Sequence, residues 1–167
     1  MKFTRRKTLA LMSATAAGSM AGLSARAESH GGGTVHEVLM LNSHPDDRSE
    51  RMVFVPDIVR AEPGDTIRFV SEDPGHNSQV NPDMMPEGGE EWRGRVNQDV
   101  EVTLETEGTY GYFCLPHRGL GMVGLVLVGD ASVNFEEARQ AQTRGQEKKR
   151  YDEIFARAEE MLAEENA

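Results

Sequence analysis

The stretch at residues 110–129 restricts the fold of this chain more than any other part of the sequence. Residues 110–113 carry alternating aromatic side chains and residues 122–129 form an apolar run, and both patterns are typical of β-strands. Between them, Pro116 and two glycines favour a short connecting loop. The sequence therefore predicts two neighbouring strands whose connection bends its side chains around one point.

This connection carries the only cysteine of the chain, Cys114, followed by His117 and Met122. Taken singly, a buried cysteine, a polar histidine and a core methionine are ordinary structural residues. In the spacing Cys-x2-His-x4-Met they offer a thiolate, an imidazole and a thioether, which are soft metal ligands. A trigonal copper site with two nitrogens, one thiolate and an axial thioether needs one more imidazole. His76, just after a Pro-Gly turn, is the candidate for it.

Two further residues affect the predicted site. Pro116 has no backbone N–H, so this position cannot donate a hydrogen bond to the Cys114 sulfur, and the thiolate stays more electron-rich. The side-chain amide of Asn77 can tie the His76 segment to the Cys114 loop. Ordinary turn chemistry is the alternative interpretation of this asparagine.

Residues 1–27 have the features of a secretion signal. A basic start with paired arginines at positions 5 and 6 is followed by a weakly apolar segment and by the cleavage motif Ala25-Arg26-Ala27. The paired arginines favour a twin-arginine signal over an ordinary Sec signal. The segment is too short and too polar for a convincing membrane span. We therefore expect export, cleavage after Ala27 and a flexible leader at residues 28–33.

The leader itself suggests a second, adventitious metal site. After cleavage the chain would begin Glu28-Ser29-His30, and a free amine with histidine in third place can bind Cu(II) in a square-planar set of nitrogens. The alternative is an unligated histidine in a glycine-rich segment.

The charge of the chain restricts its partners. It has 18 basic and 28 acidic residues, for a net charge of −10, and cleavage after Ala27 would remove five basic residues and no acidic one. Such acidity argues against nucleic acid as a partner.

The rest of the pattern predicts a β domain at residues 34–129. Alternating or apolar runs predict strands, and Glu62-Pro-Gly-Asp65 predicts a type II turn. Trp92 is expected to close one end of the β domain or to pack beneath the His76 segment. The main predicted strands lie at residues 35–41, 52–55, 66–70, 96–104, 110–113 and 122–129.

Residues 130–167 predict two helices packed on the β domain. Asn134 and Glu137 suggest a capping box at the first helix start, and Gly145 suggests a break between the helices. The second helix has an apolar face with i, i+3, i+4, i+7 spacing, whereas its acidic opposite face disfavours stable membrane binding. The apolar face comprises Tyr151, Ile154, Phe155, Ala158, Met161 and Leu162.

From about residue 35 to its end, the chain resembles the pseudoazurins, a family of cupredoxins. The plastocyanins are similar in the Cys-x2-His-x4-Met pattern but lack the two C-terminal helices. The resemblance is carried by Gly75-His-Asn77, Cys-Leu-Pro-His117, Gly-Met122, the stretch Asp83-Met-Met-Pro-Glu-Gly88, and Met-Val-Phe54 followed by Pro-Gly-Asp65.

The resemblance implies a mainly β protein, a Greek-key cupredoxin sandwich of about eight strands with two C-terminal α-helices. It implies one type 1 copper ion, with His76, Cys114 and His117 as equatorial ligands and Met122 as the axial one. It also implies a soluble carrier of single electrons in the periplasm, for example in denitrification. Because such a shuttle must leave its partner quickly, we expect a monomer. Electrons would pass through the ring edge of His117, in an electron-transfer patch with Met52, Pro116 and Leu120.

Four protein ligands leave no position for a substrate, which favours electron transfer over enzymatic chemistry. A copper-binding carrier or storage protein is the alternative function, and zinc could bind the same ligands.

The partner implied by the family is copper nitrite reductase, which docks on lysines around the patch. Residues 28–129 contain no lysine, with seven arginines against 18 acidic residues, although Arg93, Arg95 and Arg118 could form a reduced basic rim. We therefore expect a partner with a basic or mixed face, such as a cytochrome c. Alternatively, the acidity reflects a saline habitat.

Overall fold

The computed structural model describes residues 32–165 and Ala167. The predicted secretion signal, its cleavage site and the Glu28-Ser29-His30 hypothesis therefore lie outside the described residues. None of the described helices is long and apolar enough to cross a membrane.

Within the described residues, eight strands form two four-stranded sheets, which confirms the predicted β-sandwich. The first sheet has the order β2-β1-β4-β6 and the second the order β3-β8-β7-β5. Two neighbouring pairs, β1 with β4 and β3 with β8, are parallel, and the other pairs are antiparallel. The strands are β1 (Val35–Ser43), β2 (Arg51–Val55), β3 (Ile58–Ala61), β4 (Asp65–Val70), β5 (Gln79–Val80), β6 (Val100–Leu104), β7 (Gly108–Phe113) and β8 (Val123–Val128).

The main core lies between the two sheets. In β4 the apolar Ile67 and Phe69 are fully buried, whereas Arg68 between them faces outward, as expected for a strand with one face on the core. Strands β7 and β8 are buried along their whole length. Their inward side chains join the inter-sheet core and their outward ones join a second apolar cluster under the C-terminal helices.

Two helices, α1 (Phe135–Arg139) and α2 (Gly145–Glu165), cover the outer face of β7 and β8. The predicted apolar face of α2 is buried at Tyr151, Phe155 and their neighbours, and the Tyr151 hydroxyl donates to the Tyr112 carbonyl at 2.9 Å. Met161, assigned to that face from its spacing, is 36% exposed, because it lies at the edge of the apolar stripe, whereas the next residue, Leu162, packs on the apolar cluster. The helices thereby complete the burial of the strands that flank the Cys114 loop.

Two local predictions are wrong for physical reasons. The side chain of Asn134 does not cap α1, because it is buried and pairs with the backbone of Thr109, accepting at 2.7 Å and donating at 2.9 Å. The strand predicted at residues 96–104 begins only at Val100. Asn97 has a left-handed backbone (φ 65°), and its N–H donates to the His76 carbonyl instead of to a strand.

Trp92 packs inside the sandwich, next to the His76 segment. Its ring stacks on Phe69 with centroids 5.6 Å apart, and its indole N–H donates to Ser78 Oγ at 3.0 Å. The second of the two predicted positions of this tryptophan is therefore the observed one.

Candidate metal centre

The connection between β7 and β8 is a tight loop closed by its own backbone. Cys114 follows β7 directly, and its N–H donates to the Met122 carbonyl at 3.0 Å, so the two ends of the loop meet. The His117 N–H donates back to the Cys114 carbonyl at 3.1 Å, and Arg118–Leu120 form a 3₁₀ turn that ends at Gly121. These bonds gather Cys114, His117 and Met122 at one end of the sandwich.

His76 reaches the same point from the segment between β4 and β5. It is fully buried, and its Nε2 lies 3.1 Å from Asn42 Oδ1 at the end of β1. The preceding Gly75 has a φ of +98°, a conformation that favours glycine. This turn directs the other ring nitrogen, Nδ1, toward the loop.

Three of the predicted ligands meet there. The Nδ1 atoms of His76 and His117 are 3.1 Å apart, and Cys114 Sγ lies 3.8 Å from the first and 3.6 Å from the second. In the described part of the chain, this is the one group of three histidine, cysteine or acidic side chains close enough to share an ion. Two imidazole nitrogens and a sulfur fit a soft transition metal. Met122, the fourth predicted ligand, is fully buried at the end of the loop.

Two asparagines fix the His76 segment from outside the ligand set. Asn77 is buried, and its Oδ1 accepts from the Leu115 N–H at 2.8 Å while its Nδ2 donates to the Gly94 carbonyl at 3.0 Å. Asn97 accepts from the Gly75 N–H at 2.5 Å and donates its own N–H to the His76 carbonyl at 2.9 Å. The His76 backbone is thus held on both sides before any metal binds.

Burial sets the protonation of the donors. Desolvation lowers the pKa of His76, and the nearby His117 lowers it further. A neutral imidazole, with a free nitrogen lone pair, is therefore favoured at this position. Burial likewise raises the pKa of the Cys114 thiol, although backbone N–H groups of Asn77 and His117 oppose the shift. Metal binding must displace this proton, so it is coupled to pH.

The predicted electron-transfer patch surrounds the partly exposed His117. Pro116 is exposed, Leu120 is 61% exposed, and Leu115, which the sequence did not indicate, is 51% exposed. Met52, in β2, is half-buried against the main core with a left-handed φ of 53°. Hereafter, the apolar patch means Leu115, Pro116 and Leu120 around His117. The three arginines of the predicted basic rim differ, because Arg93 and Arg95 are exposed whereas Arg118 pairs with Glu147 in α2.

Sequence reasoning missed Asn42 and Asn97. Their partners lie 34 and 22 residues away, so the contacts depend on how the sheets and loops come together. The one available signal for Asn42 is a polar amide directly after the apolar run at residues 38–41. Such a signal indicates where the strand ends but not which residue the asparagine bonds.

A two-sheet β-sandwich with two imidazoles and one thiolate gathered at one end defines the cupredoxin class of copper proteins. A family model of copper-binding proteins, the plastocyanin/azurin family, matches residues 42–129. Pseudoazurin from Paracoccus pantotrophus is 44% identical over 121 residues, covering 72% of this chain and 81% of that protein. Pseudoazurin from Methylorubrum extorquens is 43% identical over 119 residues, covering 71% and 78%.

The fold agrees with these matches. The solved structure of a Sinorhizobium pseudoazurin superposes with a TM-score of 0.71 at 41% identity, covering 75% of this chain and 97% of that one. The pseudoazurin of Hyphomicrobium denitrificans gives 0.69 at 37% identity, covering 74% and 98%. The chain therefore belongs to the plastocyanin/azurin family of copper-binding proteins and, within it, to the pseudoazurins. It is a blue copper electron carrier rather than an enzyme, and its cofactor is one type 1 copper ion.

Proposed function

We propose that this protein carries single electrons between redox proteins of the periplasm, with His76, Cys114 and His117 as equatorial copper ligands and Met122 as the axial one. The observation that supports this assignment best is the buried His-Cys-His group, whose ligand atoms all lie within 4.8 Å of one another. Met122 is supported by its burial and by the backbone bond that joins it to Cys114.

The residues around the ligands make the site suited to electron transfer. Copper, when bound, supplies a Cu(II)/Cu(I) couple. Asn77 and Asn97 hold the ligand segments through bonds that do not involve the donor atoms, which favours one arrangement of the ligands whichever oxidation state the metal has. Cys114 and Met122 are closed off from water, and of the two imidazoles only that of His117 is partly exposed. Its ring edge, in the apolar patch, is the proposed point of electron entry and exit.

The periplasmic location rests on the sequence of residues 1–27. Their paired arginines, apolar segment and Ala25-Arg26-Ala27 motif support export and cleavage after Ala27. N-terminal sequencing of the protein recovered from a periplasmic fraction tests this. A chain that begins at Glu28 is expected, and an intact chain retained in the cytoplasm would contradict it.

For the partner, we propose a redox protein with a basic or mixed face, such as a cytochrome c. The support is the excess of acidic over basic residues at positions 28–129 and the absence of lysine there. Copper nitrite reductase, with an acidic docking face, and a role in denitrification are the competing possibilities within the same function.

The visible spectrum of the purified protein tests the copper site. After addition of Cu(II), an intense blue or green colour that ascorbate bleaches is expected, because a thiolate–copper bond gives strong visible absorption. A Cys114→Ser variant removes the thiolate and should stay colourless, while Ser43→Ala, a control outside the ligand set, should keep the colour. A colourless wild-type protein that still binds copper would favour the copper storage alternative.

A further inference from the structure

Arg118 lies directly after His117 in the loop of residues 114–122, which is called the ligand loop from here on. Residues 114–122 contain no other arginine or lysine and no acidic residue. The guanidinium does not extend freely from the loop. Its Nε donates to Glu147 Oε1 at 2.7 Å, and its central carbon lies 4.2 Å from the centre of the Phe113 ring. The one permanent charge of the loop is therefore paired with a residue of another element.

Glu147 is well placed to hold that charge. It lies in the first turn of α2, where the positive end of the helix dipole favours a carboxylate. Its side chain is 10% exposed, compared with 33% for Arg118. A carboxylate so buried is costly to leave unpaired, and this favours a persistent ion pair.

The loop and the helix are also in close contact beside the pair. A Cβ at Gly121 would lie 3.0 Å from the Gln146 carbonyl oxygen, which precedes Glu147 in the chain. This close approach and the bond between Arg118 and Glu147 together fix the position of the loop against α2. The helix therefore determines where the charge of Arg118 lies relative to the apolar patch.

We propose that Glu147 is a specificity-determining residue of the electron-transfer surface. By pairing with Arg118 it cancels the positive charge of the loop beside His117, so the loop itself presents no net charge to a partner. The choice of partner by charge is then left to residues outside the loop, which include the exposed Arg93 and Arg95 and the acidic residues of the sandwich. This inference rests on the proposed function, because it takes the apolar patch as the place where redox partners dock.

The size of the effect follows from Coulomb's law. A unit charge released about 10 Å from a trivalent complex changes its rate of electron exchange by about threefold to fivefold at low ionic strength, near 0.01 M, and by less at higher salt. The sign of the change depends on the sign of the complex. A purely structural disturbance would instead alter the rates with both complexes in the same direction.

The test uses Glu147→Gln in the copper-loaded, ascorbate-reduced protein. Stopped-flow measurements follow its oxidation by two complexes that each accept one electron, the trianion hexacyanoferrate(III) and the tripositive tris(phenanthroline)cobalt(III). The variant frees the charge of Arg118, so it should react about threefold to fivefold faster with the anion and slower with the cation by a similar factor. Glu160→Gln makes the same charge change on an exposed part of α2 about 20 Å further along the helix, and should leave both rates nearly unchanged.

Two more variants keep the proposal testable where Glu147→Gln does not fold. Arg118→Gln should shift both rates in the opposite sense, and the Arg118→Gln/Glu147→Gln double variant, which is neutral like the ion pair, should return them to wild-type values. Shifts in the same direction with both complexes, or shifts no larger than those of Glu160→Gln, would overturn the proposal while the electron-carrier function stands. A wild-type protein that exchanges no electron with either complex would refute the proposed function itself.

Discussion

The imidazole of His76 shows how one hydrogen bond at a distance from the ligand atom can orient it. Its Nε2 lies 3.1 Å from Asn42 Oδ1, and this contact leaves Nδ1 free to point toward Cys114. Partners of this kind fix the orientation of a metal-binding histidine and its donor strength. Asn42 is itself anchored, because its N–H donates to Asp73 Oδ2 at 2.7 Å.

Replacing Asn42 with leucine keeps the volume of the side chain but removes its hydrogen-bonding oxygen. We expect Asn42→Leu to lower copper affinity by about 10-fold to 100-fold and to change the visible spectrum, because the His76 ring is no longer oriented. Competition with a copper chelator measures the affinity. The neighbouring Ser43→Ala is the control, and equal affinities and spectra for both variants would contradict the expected role.

For single residues, the sequence identified the candidate ligands but not the side chains that hold them in place. Cys114, His117 and Met122 could be selected because three soft donors fall within nine residues, and His76 because a fourth ligand was needed. The bonds from Asn42 and Asn97 were not predictable, since they join segments that are distant in the chain and meet only in the folded sandwich. The Asn134 side chain was misassigned for the same reason, because its partner Thr109 lies in β7.

Between elements, the ligand loop and α2 constrain one another at Gly121. This glycine has a φ of +87°, and a Cβ there would also lie 3.4 Å from the Arg150 Cβ. Gly121→Ala should therefore lower the free energy of unfolding by about 1–3 kcal/mol, from backbone strain and the contact with the helix. Denaturant unfolding gives the value.

Gly119 in the same loop provides a matched control. A Cβ at this position would have no other atom within 4 Å, and its backbone is not left-handed. Gly119→Ala should be close to neutral. Equal destabilisation by the two substitutions would show that the contact with α2 does not restrict the loop.

The start of β4 depends on the carboxylate of Asp65. It accepts from the Thr34 N–H at 2.6 Å and the Glu62 N–H at 2.9 Å, and lies 2.8 Å from His36 Nε2. The Glu62 bond contributes most to lowering the pKa of Asp65 below its usual 3.8, and the His36 bond is next. Because the folded state favours the charged carboxylate, this stabilisation is fully present above about pH 4 and is lost as the pH falls through the lowered pKa.

Asp65→Asn should accordingly be less stable than the wild type at pH 7. The difference in unfolding free energy should shrink as the pH falls below about 4, because the wild-type carboxyl then becomes neutral too. Urea unfolding at several pH values measures both curves. Asp83→Asn, at an exposed position, serves as the control, and a difference that persists unchanged at low pH would contradict the argument.

Strand and helix periodicity predicted most elements, including both helices and the two strands around the ligand loop. The predicted strand at 96–104 was too long because Asn97 adopts a left-handed turn that clamps the His76 segment. Strand propensity carries no information about such a tertiary hydrogen bond. The partial exposure of Met161 was not predictable either, since the spacing places it on the apolar stripe but does not show that it lies at the edge while Leu162 packs on the cluster.

On the scale of the whole molecule, the helices and the sandwich share one apolar cluster. Phe155 is 1% exposed and meets the Phe135 ring edge-to-face, with centroids 5.3 Å apart. Phe155→Ala should lower the unfolding free energy by about 3–5 kcal/mol, whereas Met161→Ala, at a partly exposed position of the same helix, should cost much less. Thermal unfolding of both variants compares them. A loss for Phe155→Ala as small as that for Met161→Ala would mean that α2 contributes little to the stability of the fold.

The net charge of the molecule acts over a longer range than any single contact. Residues 28–129 carry 18 acidic residues against seven arginines, so a basic partner is attracted before the apolar patch touches it. Salt screens this attraction, with a screening length of about 10 Å at 0.1 M. Electron exchange with a basic cytochrome c should therefore slow several-fold between about 0.02 and 0.2 M salt, because screening weakens association.

The same experiment with an acidic copper nitrite reductase distinguishes the two partners. Like charges repel, so its rate should be lower at low salt and should rise as salt is added. A nitrite reductase that reacts faster than the cytochrome at low salt would mean that the exposed arginines of the predicted basic rim, Arg93 and Arg95, outweigh the overall field. Arg95→Gln would then slow the reaction with the nitrite reductase markedly. Under overall acidic steering it should change that reaction little and should slightly speed the reaction with the basic cytochrome, because it makes the surface more negative.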